Sequence, residues 1–353
     1  MVNFGAIGSF LNSAWPYLLA VAAFLFLIVI HEFGHFIAAK LLGVKVNEFS
    51  VGFGPRIFHK KGSETDYSLR LVPLGGYCAM EGEDEDSSDE RAFCKKKPIK
   101  RFLIVVMGAV FNILFGIILV AVTLIPQERF TTTTIHSFAE NAVSNAEGGL
   151  RENDTILDVD GRHIFTTYDL AYQFSAVSSG NLDITVRRDG KKVLLKGVPF
   201  KTQSVEGYNV ISLDFWVKGQ SKTPATFIAQ TGKMSLSYGR IVVFSLVDMV
   251  RGKYKMSDIS GPVGVTDAIG KAAKSGAFDL IAIMALITIN LGIMNLLPIP
   301  ALDGGRLVFI LYEMIFKKPV KQKYESLVHA IGLAVLLLIM VAVTFKDIWV
   351  RVF

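Results

Sequence analysis

The sequence predicts a polytopic α-helical membrane protein: four transmembrane helices, membrane-associated β-hairpins and an inserted extracytoplasmic α+β domain. Three observations carry this. Hydrophobic residues make up 51% of the 353, and mean hydropathy is +0.44, too apolar for an ordinary soluble chain. Four segments approach the ~20 apolar residues that one crossing needs. Between the second and third, residues 130–215 alternate polar and apolar side chains as a small soluble domain does.

The first crossing runs from Trp15 to Ala39, and residues 1–30 contain no charged side chain. The second, Phe102 to Pro126, and the third, Leu280 to Leu302, are also uncharged, and Leu307 to Phe316 can extend the third past a break. The fourth is Ser326 to Phe345. The N-terminus lacks the basic region and small-residue cleavage site of a signal peptide, so the first segment is expected to be retained. Orientation follows from Lys and Arg at the span ends. The segment Lys40–Arg101 holds twelve basic residues and 317–323 holds four, which puts both in the cytoplasm. Both termini and residues 127–279 then lie outside. The net charge of +6 gathers beside apolar runs, so it speaks for a lipid bilayer and against nucleic acid. Cys78 and Cys94 share one cytoplasmic loop, where no disulfide is expected, and their spacing matches no zinc motif.

Ser50 to Phe58 and Tyr67 to Tyr77 are short, β-prone and punctuated by glycine, and each reads as a hairpin tucked against the first helix. The acidic run Glu81 to Glu90 reads as a solvated flexible loop. In the soluble domain, strands are expected at 155–160 and 182–187, turns at Asp160-Gly161 and Asp189-Gly190, and a helix from Tyr168 to Val177. Residues 224–250 are expected to form a helix on the membrane surface or against the soluble domain. A fifth span is the alternative, but Lys233 and Arg240 interrupt it, and an odd crossing breaks the charge pattern. The expected division is 1–126, an N-terminal membrane part; 127–220, the soluble domain; 221–279, a connector with amphipathic helices; and 280–353, a C-terminal membrane part.

His31-Glu32-Phe33-Gly34-His35 continues the first span. Polar groups at that depth are costly and usually functional. Positions i and i+4 share a helix face, so His31 and His35 can offer two imidazoles to one Zn²⁺, with Glu32 beside them to handle protons. A catalytic zinc takes three protein ligands and keeps one position open. Asp303 fits as the third. It follows an uncharged run, and Pro298, Pro300 and Gly304-Gly305 can turn its carboxylate inward. The alternatives are a chance match for the five-residue motif and a helix-capping role for Asp303. Asn295 is open between an interhelical hydrogen bond and a substrate contact. The turn at Gly52 to Pro55 can be an ordinary one. His59, His136, His163 and His329 lack ligand-like spacing, and Asn112 and Asn290 read as structural.

These motifs occur in order with Gly52-Phe53-Gly54-Pro55, Pro73-Leu74-Gly75-Gly76-Tyr77, Gly261-Pro262-Val263-Gly264 and Asn295 through Gly304. Together they resemble the site-2 protease family of intramembrane zinc metalloproteases, over nearly the whole chain. The nearest branch is the bacterial regulator-of-sigma-E-protease-like one with a single PDZ domain. The resemblance implies one zinc per chain on His31, His35 and Asp303, with Glu32 catalytic. It implies that Gly52, Phe53, Gly54, Pro55, Gly75, Gly76 and Tyr77 help hold substrate as an extended strand, with Asn295 assisting. It also implies a multi-pass protein of the bacterial cytoplasmic membrane, its site opening to the cytoplasm. The reaction is regulated intramembrane proteolysis of single-span proteins, anti-sigma factors or signal-peptide remnants. The soluble domain would then be PDZ-like, although residues 137–154 are longer than the family's compact version and Asn153 stands where Gly is typical. Two rival classes remain. A scaffold with a dead zinc site is opposed by the complete ligand set with Glu32. A transporter would show paired broken helices, and one broken segment is visible.

Overall fold

The computed structural model describes residues 4–83, 85–175, 177, 179–205, 208–254 and 261–352. The chain divides into two compact units, Met1–Leu119 with Lys255–Phe353, and Val120–Tyr254.

Helix α1 (Phe4–Leu41) is apolar on every side, as a buried or membrane helix is. It leads into β1 (Val46–Lys61) and β2 (Asp66–Met80). These correct the expectation of two separate hairpins, because the two strands pair with one another. Phe49, Ser50 and Val51 each meet two residues of β2, and Arg56 to Lys61 run along Asp66 to Arg70. The glycines bend β1 within its length rather than ending it. Gly52 and Gly54 have φ of 86° and 81°. A Cβ on Gly52 would stand 2.9 Å from the carbonyl oxygens of Arg70 and Val72, so the strands approach too closely there for any side chain.

The acidic run after β2 is also tied down rather than loose. Glu81 accepts from Asn47 (2.9 Å) and Ser87 (2.5 Å), Lys45 lies 3.4 Å from Asp89, and Glu83 pairs with Arg306. Its partners come from distant positions, which is why composition alone read it as solvated; Asp84 lies outside the described residues. A 3-10 turn, Phe93–Lys95, precedes α2 (Pro98–Leu124).

The second unit contains β3 (Arg129–Phe138), β4 (Thr155–Val159), β5 (Arg162–His163), α3 (Thr167–Phe174), β6 (Asn181–Arg188), β7 (Lys191–Pro199), β8 (Thr202–Val205), β9 (Tyr208–Ile211), β10 (Phe215–Ser221) and α4 (Pro224–Val250). Its main sheet has the order β10-β3-β4-β6-β7, with β5 beside β4, while β8 and β9 form a separate pair. Asp160-Gly161 and Asp189-Gly190 turn the chain with both residues at positive φ, as two-residue hairpins prefer. Asn153 has φ 71°, a left-handed position that asparagine accepts more readily than most side chains. Ile135, Ile156, Ile184 and Val186 form the fully buried centre.

Helix α4, expected across 224–250, packs on α3 of this unit. Buried Asp248 takes both terminal nitrogens of Arg162 and the Tyr172 hydroxyl (3.0 Å), and Ser237 donates to Asp169 at 2.6 Å. Of the connector, residues 255–260 lie outside the described residues.

The first unit resumes with α5 (Pro262–Ser275), α6 (Ala277–Leu296), α7 (Asp303–Phe316) and α8 (Gln322–Val352). The Gly261 to Gly264 motif is the N-terminus of α5, capped by Asp347 of α8 through the N–H groups of Gly261 (2.9 Å) and Gly264 (3.0 Å). Tyr17–Leu41, α2, α6 and Gln322–Trp349 are long and apolar enough to cross a membrane, so this is a multi-pass membrane protein. The third crossing stops at Leu296 rather than Leu302, since Pro298 and Pro300 cannot continue the helix.

Candidate metal centre

Three elements of the first unit converge. The last turns of α1 carry His31, Glu32 and His35. The break after α6 ends at Asp303, the first residue of α7, and α2 lies against both histidines. The break is shaped by close approach. A Cβ on Gly304 would stand 1.9 Å from the Leu297 carbonyl oxygen, and one on Gly305 would stand 2.6 Å from that of Ile299. Ala301 has φ 75°, and its N–H donates to His329 of α8 at 3.1 Å, an interface role for that histidine. Only a Gly-Gly start to α7 lets the segment fold back this tightly and bring Asp303 to the histidines.

The Nε2 atoms of His31 and His35 are 3.2 Å apart, and each lies 3.1 Å from Asp303 Oδ2. The triangle is almost equilateral. Ligand atoms about 2.0–2.1 Å from a tetrahedral zinc lie roughly 3.3–3.4 Å from one another, so the three atoms are spaced as one face of such a site. Their hydrogen bonding makes the same point. His35 Nδ1 donates to the Ile104 carbonyl of α2 at 3.0 Å, which leaves a lone pair on Nε2. Asp303 Oδ2 is buried and has no hydrogen-bond donor. Lone pairs facing one another in a buried site are costly, and a cation among them removes the cost. The residues present therefore fit a metal ion.

Glu32 lines the same cavity of about 400 Å³ as His35 and Asp303, together with Tyr77 and Cys78 to Met80 of β2 and the Glu83–Arg306 pair. Glu32 Cγ is an atom that a Cβ on Gly76 would meet, at 3.6 Å, so β2 runs directly past the glutamate. Gly75 is fixed by Phe53, whose ring a Cβ there would overlap at 2.3 Å, and Phe53 stacks on Tyr77. Of the residues expected to hold substrate, Tyr77 lines the cavity, while Gly76 adjoins it beside Glu32 and Phe53 and Gly75 pack behind Tyr77. Gly52 and Gly54 bend β1 on either side of Phe53, and neither they nor Pro55 line this cavity. Asn295, buried, lies 3.4 Å from His31 Nδ1.

Sequence reasoning missed two residues of α2. Gly108 is the gap into which both imidazoles fit, since a Cβ there would stand 2.3 Å from His35 Nε2 and 2.8 Å from His31 Cε1. Asn112, one turn later and fully buried, lies 3.3 Å from His31 Nδ1. Their i, i+4 spacing in an uncharged span was the available signal.

Two imidazoles and a carboxylate among membrane-spanning helices, with a glutamate in the same cavity, have the make-up of a metallopeptidase centre. The chain belongs to peptidase family M50, the site-2 protease family, whose model matches residues 19–339, and it is a peptidase. Among its relatives are proteins named "putative zinc metalloprotease" from three bacteria. That of Clostridium acetobutylicum is 36% identical over 94% of this chain and 96% of its own length. Those of Clostridium perfringens and Campylobacter jejuni are 35% and 32% identical, over 93% and 94% of this chain and 97% and 93% of their own lengths.

Proposed function

We propose that this protein is an intramembrane zinc endopeptidase that hydrolyses transmembrane segments of single-span proteins, with anti-sigma factors or signal-peptide remnants as the substrate class. The observation that carries this reading is the near-equilateral set of His31, His35 and Asp303 beside Glu32, on helices long enough to span a bilayer. His31 Nε2, His35 Nε2 and Asp303 Oδ2 hold one zinc per chain. The metal supplies a Lewis acid for the scissile carbonyl and makes water a competent nucleophile near neutral pH. Glu32 accepts the proton of the attacking water and returns it to the leaving amine. Asn295 assists at the cleft. The stretch Tyr77 to Met80 of β2 borders the cavity, and a substrate unwound to an extended strand can pair with it through its backbone. Phe53, braced on Gly75 and Tyr77, keeps that stretch in place, and Gly52, Gly54 and Pro55 set its approach.

The protein is read as residing in a bacterial cytoplasmic membrane, with the basic segments 40–101 and 317–323 inside and both termini outside. The inserted unit is read as an extracytoplasmic PDZ-like domain over 127–220, followed by a connector to 279, between membrane parts 1–126 and 280–353. It restricts access: substrates that keep a bulky external part are excluded until they are trimmed.

The decisive experiment is co-expression with tagged single-span proteins from the same cell, comparing wild type with Glu32→Gln. The amide is nearly the same size and cannot take the proton. The variant should retain zinc while its substrate accumulates uncut; near-normal cleavage would sink the reading.

A further inference from the structure

A histidine that holds a metal through Nε2 carries its proton on Nδ1, and that N–H needs an acceptor. For His35 the acceptor is the Ile104 carbonyl. For His31 two amides compete. Nδ2 of Asn112 lies 3.3 Å from His31 Nδ1 and Nδ2 of Asn295 lies 3.4 Å from it. An NH₂ group cannot accept the proton, so one of the two amides must present its oxygen instead.

The surroundings decide which. Asn112 is 0% exposed, and its Oδ1 is buried with no hydrogen-bond partner. Turning this amide by half a turn exchanges its oxygen and nitrogen without moving any other atom. Oδ1 then accepts from His31 Nδ1–H, so the buried imidazole proton gains its acceptor, and the amide NH₂ takes the position that Oδ1 held. Helix α6 holds the residue in place. Thr288 donates to the Asn112 carbonyl at 3.2 Å, and a Cβ on Gly292 would already stand 3.3 Å from Asn112 Cβ. The backbone at 112 is thereby clamped from the α6 side while its side chain reaches His31.

We infer that Asn112 is a positioning residue of the metal centre: its amide oxygen accepts the Nδ1 proton of His31 and fixes the tautomer that presents Nε2 to the metal. His31 has one Nδ1 proton to give, so Asn295 is released from this duty and its amide is free to serve the cleft. The inference rests on the proposed zinc site and adds a residue of α2 that touches neither metal nor substrate.

The test uses purified full-length protein and measures zinc retained against a graded chelator, a readout independent of cleavage. Asn112→Leu has no acceptor and should hold zinc ~10–100-fold more weakly, the usual cost of losing a residue that orients a metal ligand. Asn112→Asp keeps an acceptor oxygen and loses the donor, and should stay within a few-fold of wild type. Asp as weak as Leu overturns the inference, because the amide's donor or its packing would then be what matters. Leu with wild-type retention overturns it too. If the Leu protein does not fold, the Asp protein decides alone: folded and zinc-depleted, it refutes the acceptor role, and folded with zinc it supports it. His31→Ala separates the two levels. Full zinc in that variant defeats the metal assignment itself, whereas loss there together with retention in Asn112→Leu defeats only the role of Asn112.

Discussion

Gly108→Ala is the smallest perturbation that reaches the metal set without touching a ligand. The added methyl carbon would stand 2.3 Å from His35 Nε2, 2.6 Å from His35 Cε1 and 2.8 Å from His31 Cε1. Unbonded heavy atoms rest about 3.5 Å apart, so the His35 ring must retreat by roughly 1.2 Å or α2 must move away. Ligand distances in a zinc site hold to about ±0.2 Å, so a shift of this size removes His35 from the set. Retreat also strains the 3.0 Å bond from His35 Nδ1 to Ile104 on the same helix. Zinc retention should therefore fall by at least about 100-fold, which is beyond the range attributed to lost orientation alone, and cleavage should fall with it. Gly116→Ala is the control. It lies two turns along the same helix, and its Cβ would stand 2.4 Å from Ile289 Cγ1. There the obstacles are Ile289 and, at 3.0 Å, the methyl of Thr288, which can repack at a cost of about 1–3 kcal/mol without touching a metal ligand, so zinc should stay near the wild-type level. Elemental analysis of both variants after one chelator wash decides the matter. Wild-type zinc in Gly108→Ala would refute the steric reasoning. Equal loss in Gly116→Ala would show that helix packing, and not the imidazoles, was disturbed.

Three further outcomes are expected. Asp248→Ala leaves the Arg162 guanidinium without its bidentate partner against α4, and should cost about 3–5 kcal/mol in thermal melting of the inserted unit; a loss below about 1 kcal/mol refutes the role of this pair as the bolt of α4. Burial pushes the Glu48 carboxyl up, but hydrogen bonds from Ser68, Arg70, Tyr77 and Arg56 outweigh it and hold it down at about 2, against 4.5 ordinarily. Its folded value is the lower one, so the stability it lends is complete above pH 4.5 and is lost as pH falls from there toward 2. Glu48→Gln should melt with a flatter pH dependence across that window, and an unchanged slope counts against the network. For topology, a thiol placed near Asp189 should be labelled in intact cells and one near Lys97 should not; the reverse pattern inverts the proposed orientation.

What could be read from the sequence was what local spacing or the cost of burying charge dictates. Four crossings follow from uncharged length, and an i, i+4 histidine pair at membrane depth is visible because polar groups there are expensive. Asp303 stood out for the same reason, as the first charge after a long apolar run. The two strands were legible as β, but not their pairing. Gly52 and Gly54 read as the turn of a hairpin, whereas in the fold they let β1 bend, and a Cβ on Gly52 would stand 2.9 Å from the carbonyl oxygens of Arg70 and Val72 of β2. The acidic run looked solvated because its partners, Lys45, Asn47 and Arg306, are remote in the chain.

Gly108 and Asn112 show the limit most clearly. In an apolar span the i, i+4 spacing of this glycine and asparagine puts them on one face of α2, but nothing in the chain says that this face meets α1. Once the helices are paired, both acquire necessity: one position where no Cβ fits beside two imidazoles, and one buried amide oxygen within reach of a proton that needs it. The same holds for Gly304-Gly305. Read locally they permit a turn, and in the fold they are compelled by the carbonyls of Leu297 and Ile299, which occupy the space a side chain would take. A ligand set can thus be legible in a chain while the residues that aim it are not. Ligands are marked by their own chemistry, whereas the residues around them are marked only by what packs against them.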